Sequence, residues 1–392
     1  MSYRKGIPIP YIDEKKCTNC NLCTKVCPGS GVDFIELNER IFGKQPTNLT
    51  LGNYIRCYLG HAVSVRIRYG AASGGVITAI LSFLLEKGLI DGALVVRMRK
   101  FPNPEPYIAK DVKSLLMSRG SIYVPVPLNM AIKQIIKNEG RYAVVGLPCH
   151  IQGLRKAEQL IRTLKERVVV HIGLFCGGSI NLIGTLFALR NLGVNIDDIE
   201  NIRYRGKGWP GYSTISLKNG KKIEVPFIRF WSLSYPFFVP LRCMLCPDGT
   251  NELADISCGD AWLPRVLKYE RIGASVIVTR SEIGEEIVNQ AMKNCYIKVE
   301  EISPSDIIKS QGTGLIQRKI DNMSRLTLVR TLGLPIPKYR HACYQISFLS
   351  YMRAILLYLK LMMGRYRLYK LIDLYNVLNK VYFHQKYYYP SD

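Results

Sequence analysis

CTNCNLCTKVCP, residues 17–28, spaces four cysteines as C-x2-C-x2-C-x3-C and follows the last with a proline. This is the bacterial ferredoxin run, which holds iron–sulfur clusters through thiolates. Cys17, Cys20, Cys23 and Cys27 crowd into eleven residues, and Pro28 keeps the chain from continuing as a helix. Structural zinc is the alternative, but it needs neither the third close cysteine nor the Cys-Pro ending. There is one such run, so residues 1–45 are expected to form a small ferredoxin-like 4Fe-4S segment and not a two-cluster ferredoxin. In two-cluster ferredoxins the fourth cysteine of a run serves the other cluster. Cys27 is therefore open to ligating either the near cluster or one completed by later cysteines.

Around that run, 392 residues with 48% hydrophobic content can bury a large core, in two or three domains. Twelve cysteines are too many for a disulfide scaffold of this size and point to metal binding in a reducing compartment. The opening MSYRKGIPIPYIDEKK has no apolar core of a signal peptide, so a cytoplasmic protein is expected. The net charge of +24 suits nucleic acid, an anionic membrane surface, or acidic small molecules and protein partners. No nucleic-acid motif accompanies it, so no nucleic-acid partner is expected, and a plain basic solvated surface explains the charge as well.

From about residue 46 to 334 the pattern is α/β. Strands are expected at VRIRYG (65–70), ALVVRM (93–98), YAVVG (142–146), VVVHIGLF (168–175) and GASVIVTR (273–280). SGGVITAILSFLLEKG reads as a helix with Ser73 as N-cap and Gly88 at its stop. Further helices are expected after LPCH, from about 179, and over EIGEEIVNQAMKN. Short apolar strands alternating with helices argue for a largely parallel sheet flanked on both faces. YSTISLKNGKKIEVPF, turning at Asn219-Gly220, reads as a hairpin that makes the sheet mixed. The tail, 335–392, is rich in Leu and Tyr, and from 338 on it carries nine Lys/Arg against Asp373 and Asp392. Arg353 and Lys360 interrupt its apolar stretch, 346–363, which argues against a transmembrane helix. A basic amphipathic helix on a membrane or partner, or a helical pair packed on the protein's own core, are the two readings.

Three sequences follow expected strands: Ser73-Gly74-Gly75, Pro148-Cys149-His150 and Cys176-Gly177-Gly178. Ligands of open α/β sheets bind outside the carboxyl ends of the strands, so all three are expected to line one cleft. Ser73-Gly74-Gly75 suits a phosphate at a helix N-terminus or an ordinary capped turn. Cys149 and Cys176 each sit where a helix opens, which lowers a thiol pKa. With the pair Cys243 and Cys246 they make a second set of four soft ligands, for which Cys258 competes. Cys57, Cys295 and Cys343 read as structural. RYRGKGWPG, 203–211, gathers Arg203, Arg205, Lys207 and Trp209 on one loop, suiting an anionic planar ligand. Asp260 reads as a helix cap in preference to a ligand-orienting group, and His171 as a satisfied core histidine.

In order, the cysteine run, SGGVITAI, GSIYVP, VGLPCHIQGL, GLFCGG, YRGKGWPG, C-x2-C-x-D, ADISCGDAW and GASVIVTR resemble the coenzyme F420 hydrogenase/dehydrogenase beta-subunit family over roughly residues 15 to 315. The resemblance implies FAD, at least one 4Fe-4S cluster, and two-electron exchange with coenzyme F420 or another small-molecule acceptor; the first run and the second set together offer eight thiolates, enough for two 4Fe-4S clusters. Its motifs carry FAD contacts to Ser73, Gly74, Gly75 and Thr78, to Gly120, Ser121 and Tyr123, to Pro148, His150 and Ile151, and to Arg205 and Gly206. His150, Arg205 and Lys207 are the candidate catalytic residues. Cys149, Cys176, Cys243 and Cys246 are the implied ligands of the core cluster. His150 stands where the family commonly has Gln, Cys258 where it has an apolar or small residue, and the basic tail is outside the common core. The function expected is an iron–sulfur flavoprotein oxidoreductase working between ferredoxin or a partner subunit and coenzyme F420. It is expected in the cytoplasm, with possible contact to the inner face of the membrane through the tail. The alternatives are a non-catalytic electron-transfer or docking subunit, and a flavin reductase of another unsaturated substrate. A zinc-containing nucleic-acid binder does not require the ferredoxin spacing.

Overall fold

The computed structural model describes residues 2–341 and 343–387; Met1, Ala342 and 388–392, with Asp392 among them, lie outside the described residues. The centre is an eight-stranded mixed sheet. Its strand order is Ile297–Glu301, Arg56–Ala62, Ser275–Thr279, Ile256–Asp260, Val168–Leu174, Tyr142–Gly146, Gly92–Lys100 and Asn103–Ala109. The four strands from Ile256–Asp260 to Gly92–Lys100 run parallel, and the flanking strands pair antiparallel. Successive residues of a parallel strand serve opposite faces, and helices cover both. Ala143 packs under the helices Val76–Glu86 and Glu282–Lys293, against Ile80, Phe83 and Val288. Its neighbour Val144 packs on the other face with Leu128, Ile135, Leu154 and Leu164.

Several expectations change. Residues 65–70 form a helix, capped by the Ser64 side chain accepting from the Ile67 N–H. The alternation of VRIRYG mimics a strand, but Arg56–Ala62 already fills the sheet position between Ser275–Thr279 and Ile297–Glu301, and Val65 is left exposed. Ser73 caps nothing: its hydroxyl donates to the Ala274 carbonyl at 2.6 Å, and the helix begins at Val76 after Gly75 at φ 75°. The hairpin about Asn219-Gly220 forms, but with Ile199–Arg203 it makes a separate three-stranded sheet. The mixing of the central sheet comes from the flanking strands instead. The helix expected from 179 begins at Leu182, where Asn181 caps it. Helix Val76–Glu86 ends as expected, with Gly88 at φ 61°. His171 is a core histidine, held by Glu158 at 2.6 Å and Asp255 at 3.0 Å.

The cysteine run carries only the short helix Leu22–Val26, and Cys27 leaves it in extended conformation before Pro28. The segment then docks on helix Pro148–Glu158. Lys156 Nζ donates to the Gly31 carbonyl at 2.7 Å, and Ile151 packs with Val32 and Phe34. Strand Gly31–Asp33 pairs with Lys338–Arg340, tying the segment to the start of the tail. The tail forms helices Phe348–Arg365 and Tyr369–Tyr387. Ala354 and Leu361 pack on Met244 and Leu328, and Ile372 on Phe237 and Phe238. Their outer surface leaves Phe348 79% exposed, with Leu349, Leu356 and Leu374 also in solvent. Among the described residues no helix is long and apolar enough to cross a membrane.

Candidate ligand cavity and cysteine centre

A cavity of about 1630 Å3 opens at the carboxyl ends of the parallel strands, bounded by Val96, Gly146, Leu174 and Asp260. Single-ligand pockets usually enclose about 300–1,000 Å3, so this one has room for two reactants. One wall comes from Ser73, Gly75 and Thr78 and another from Gly120, Ser121 and Tyr123. His150 and Arg205 also line it. Gly74, Pro148, Ile151, Gly206 and Lys207 are not on its wall. Gly74 is wedged against the sheet, where a Cβ would meet the Gly60 carbonyl at 2.7 Å. Ile151 is core. Pro148 is the buried first residue of its helix, and the Gly206 carbonyl accepts from the Tyr212 N–H at 2.8 Å. Lys207 pairs with Glu224 outside the cavity.

Sequence reasoning missed the aromatic wall. Tyr123 stacks on Phe227 at 5.4 Å and 21°, and Trp231 stacks on Tyr235 at 5.2 Å and 20°. The signal was present in FIRFWSLSY, where Phe227 and Trp231 share a face at helical spacing.

Arg205 is 2% exposed and bidentate to Asp260, with both bonds at 2.7 Å. Asp260 also accepts from Trp209 Nε1 at 2.8 Å, so it is an ion-pair partner and not the helix cap expected. Burial pulls the Arg205 pKa down, but Asp260 and Tyr123 outweigh it and raise the pKa above the ordinary value. His150 has one side on the cavity and is held neutral. Burial lowers its pKa to about 4, helped by the Arg242 charge and opposed by a bond to the Val126 backbone. Its Nδ1 accepts from the Leu147 N–H at 3.3 Å.

Cys149 opens helix Pro148–Glu158, Cys176 follows strand Val168–Leu174, and Cys243 and Cys246 lie on and just after the short helix Leu241–Leu245. The fold brings all four together: the Cys149 thiol feels the charge of the other three. The lowered thiol pKa expected from the helix openings is not found. Burial first, then the neighbouring thiols, push Cys149 up, and burial pushes Cys176 to about 11 and Cys246 to about 12. Cys258 stands apart in its strand, raised to about 12 by burial alone. Arg318, also unforeseen, donates to the carbonyls of Cys176, at 3.1 Å, and Cys243, and its buried Nε has no partner.

Among the described residues no three His, Cys, Asp or Glu side chains converge as a single-ion site. Four part-buried soft donors brought together beside an under-bonded guanidinium fit a multinuclear thiolate-held cluster, whose net negative charge the arginine would offset. Cys176, Gly177 and Gly178 line the cavity as well, so the thiol set and the cavity share a wall. The first run lies close by. Cys27 Sγ accepts from the Gly29 N–H at 3.3 Å and faces Arg242, whose charge also reaches Cys149.

A ligand cavity walled partly by a thiol centre, beside a ferredoxin run, defines an iron–sulfur redox protein. Residues 10–30 match the 4Fe-4S binding domain, residues 57–133 the N-terminal and residues 139–305 the C-terminal model of the coenzyme F420 hydrogenase/dehydrogenase beta subunit. The chain belongs to that family of oxidoreductases. It is 26% identical over 309 residues to the coenzyme F420 hydrogenase subunit beta of Methanothermobacter thermautotrophicus, covering 74% of this chain and all of the relative. It is 30% identical to the coenzyme F420-dependent sulfite reductase of Methanocaldococcus jannaschii, covering 74% of this chain and 48% of that protein. A chain of the F420-reducing [NiFe] hydrogenase complex of Methanosarcina barkeri shares the fold, with TM-score 0.59 at 23% identity, over 74% of this chain and 98% of that one.

Proposed function

We propose that the chain passes electrons between two 4Fe-4S clusters and coenzyme F420 through FAD held in the cavity. The observation that carries this reading is the wall at Cys176–Gly178, shared by the cavity and the four-thiol set. Cys17, Cys20, Cys23 and Cys27 would hold one cluster, and Cys149, Cys176, Cys243 and Cys246 the other. When bound, FAD supplies the junction between one-electron clusters and a two-electron hydride acceptor. The protein's part is binding and orientation. Tyr123, Phe227 and Trp231 offer flat apolar surface to a ring system, and the Ser73–Gly75 turn offers backbone near a helix start. Arg205, locked by Asp260, is a fixed positive wall with no freedom to exchange its proton. His150 at a pKa of about 4 is a fixed neutral group near pH 7 and not a proton shuttle. Lys207 has no part in this reading. A basic protein of net charge +24 favours an acidic ferredoxin or an acidic partner subunit, and a polyanionic deazaflavin.

The test is iron, sulfide and flavin content of anaerobically purified protein, followed by dye-linked oxidation of reduced coenzyme F420. About eight irons and one FAD per chain, with turnover, are expected. Clusters without stoichiometric flavin would replace this reading with an electron-transfer or docking subunit. Flavin-loaded protein that ignores F420 would leave a reductase of another substrate.

A further inference from the structure

Several cations in the neighbourhood of the cavity are matched by a carboxylate. Arg68 pairs with Glu270 at 2.7 Å, Arg205 with Asp260, and Lys207 with Glu224. Three arginines in the same neighbourhood are not. Arg119 reaches across to helix Val65–Gly70, its Nη1 donating to the Arg66 carbonyl at 3.0 Å and its Nε to the Leu116 carbonyl at 2.9 Å. Arg203 donates to the Gly70 carbonyl from the other side. Gly70 lies between them: a Cβ there would stand 2.7 Å from Arg119 Nη1. Arg119 feels the repulsion of both Arg203 and Arg66, with no carboxylate to offset it. Among the described residues none of the three makes an ion pair.

Their backbone bonds fix Arg119 and Arg203 in place while leaving other N–H groups free, which is the arrangement that receives a phosphate oxygen fork. The place is the cavity mouth. Ala71 and Ser73, just beyond Gly70, line the cavity, as do Ser118 and Gly120 on either side of Arg119. Gly120, at φ 94°, has no side chain to fill the space, and Arg203 Nε lies 3.8 Å from where its Cβ would be.

We propose that Arg66, Arg119 and Arg203 form a phosphate cradle at the cavity rim, which takes the phosphate or diphosphate of the nucleotide-type ligand whose ring lies inside. The assignment rests on the reading of the cavity given above. Two ligands carry that chemistry, the FAD diphosphate and the phosphodiester of the deazaflavin, and the experiment separates them.

Arg66→Gln is the cleanest variant, because among the described residues the Arg66 side chain makes none of the fold's hydrogen bonds. Arg119→Gln is the stronger one, and Arg119→Lys controls for folding. Three quantities are measured on full-length, cluster-loaded protein: the affinity for inorganic pyrophosphate, the preference for FAD over riboflavin, and the KM for reduced F420. Loss of one charge-assisted bond weakens binding on the order of ten- to a hundred-fold. Weaker pyrophosphate binding with loss of the FAD preference assigns the cradle to FAD. Weaker pyrophosphate binding with unchanged FAD loading and a raised KM assigns it to the substrate. Arginine-dependent pyrophosphate binding in a wild type that takes no flavin would uphold the cradle and overturn the flavin reading. Wild type that does not bind pyrophosphate, or variants that match it in all three measurements, would overturn the cradle.

Discussion

Asp260→Asn isolates the Arg205–Asp260 pair. The exchange keeps the volume and an oxygen acceptor for Trp209 Nε1, but it leaves the 2%-exposed guanidinium without a counter-charge. Breaking a buried pair from one side costs about 3–5 kcal/mol, because the surviving charge stays out of water. The neighbouring rings do not replace the carboxylate. Phe227 lies 4.4 Å and Trp262 5.8 Å from the guanidinium, and such contacts contribute about 0.5–2 kcal/mol. Trp209 and Trp262, 4.8 Å apart, make intrinsic fluorescence a local probe of this region during urea unfolding. A loss of about 3–5 kcal/mol is expected for Asp260→Asn, and the double variant Arg205→Met/Asp260→Asn should recover most of it, since removing both charges of a buried pair is often neutral. Two results would refute the reasoning: a single variant within about 1 kcal/mol of wild type, or a double variant no more stable than the single.

The two thiol centres should be separable: Cys20→Ser and Cys246→Ser are each expected to lose about four of about eight irons by elemental analysis, and a variant losing all or none would contradict two independent centres. His171, buried between Glu158 and Asp255, has a raised pKa because those carboxylates outweigh burial and the Arg155 charge. Its stabilising contribution is full below about pH 6.5 and fades as pH rises through the raised folded value, so the stability gap between wild type and His171→Gln should narrow on the alkaline side. A gap that widens there would reverse the assignment. Gly74→Ala forces a methyl against the Gly60 carbonyl and the Ser275 N–H, at 2.7 and 2.8 Å, and should cost about 1–3 kcal/mol in chemical denaturation. Lys207→Ala should leave the rate of F420 oxidation within twofold (about 0.4 kcal/mol) of wild type, because its ammonium is spent on Glu224 outside the cavity; a larger drop would return Lys207 to the site.

Local spacing was enough to read the ferredoxin run, because its ligands lie within one turn-rich segment and Cys-Pro ends the helix by covalent geometry. The strands at 142–146 and 168–174 were equally plain, since burial on both faces writes continuous apolar runs into a sequence, and the helix over 282–293 showed as apolar residues at helical spacing. The same signal failed at 65–70, where an alternating pattern had no sheet partner left to pair with. The thiol pKa of Cys149 and Cys176 was misjudged because a helix N-terminus is a local feature, whereas burial and the approach of Cys243 and Cys246 are not. Arg318 and Arg119 reach carbonyls far along the chain and carried no periodicity to announce them, and the helical spacing of Phe227 and Trp231 marks a shared face without showing that Tyr123 packs on it. The sequence by itself thus determined the ligand types and the order of elements, which depend on neighbours a few residues apart. Only the tertiary structure decided which cations are neutralised, which side chains face the cavity and how the two cysteine sets adjoin, because charge pairing and burial depend on distances that chain separation does not encode.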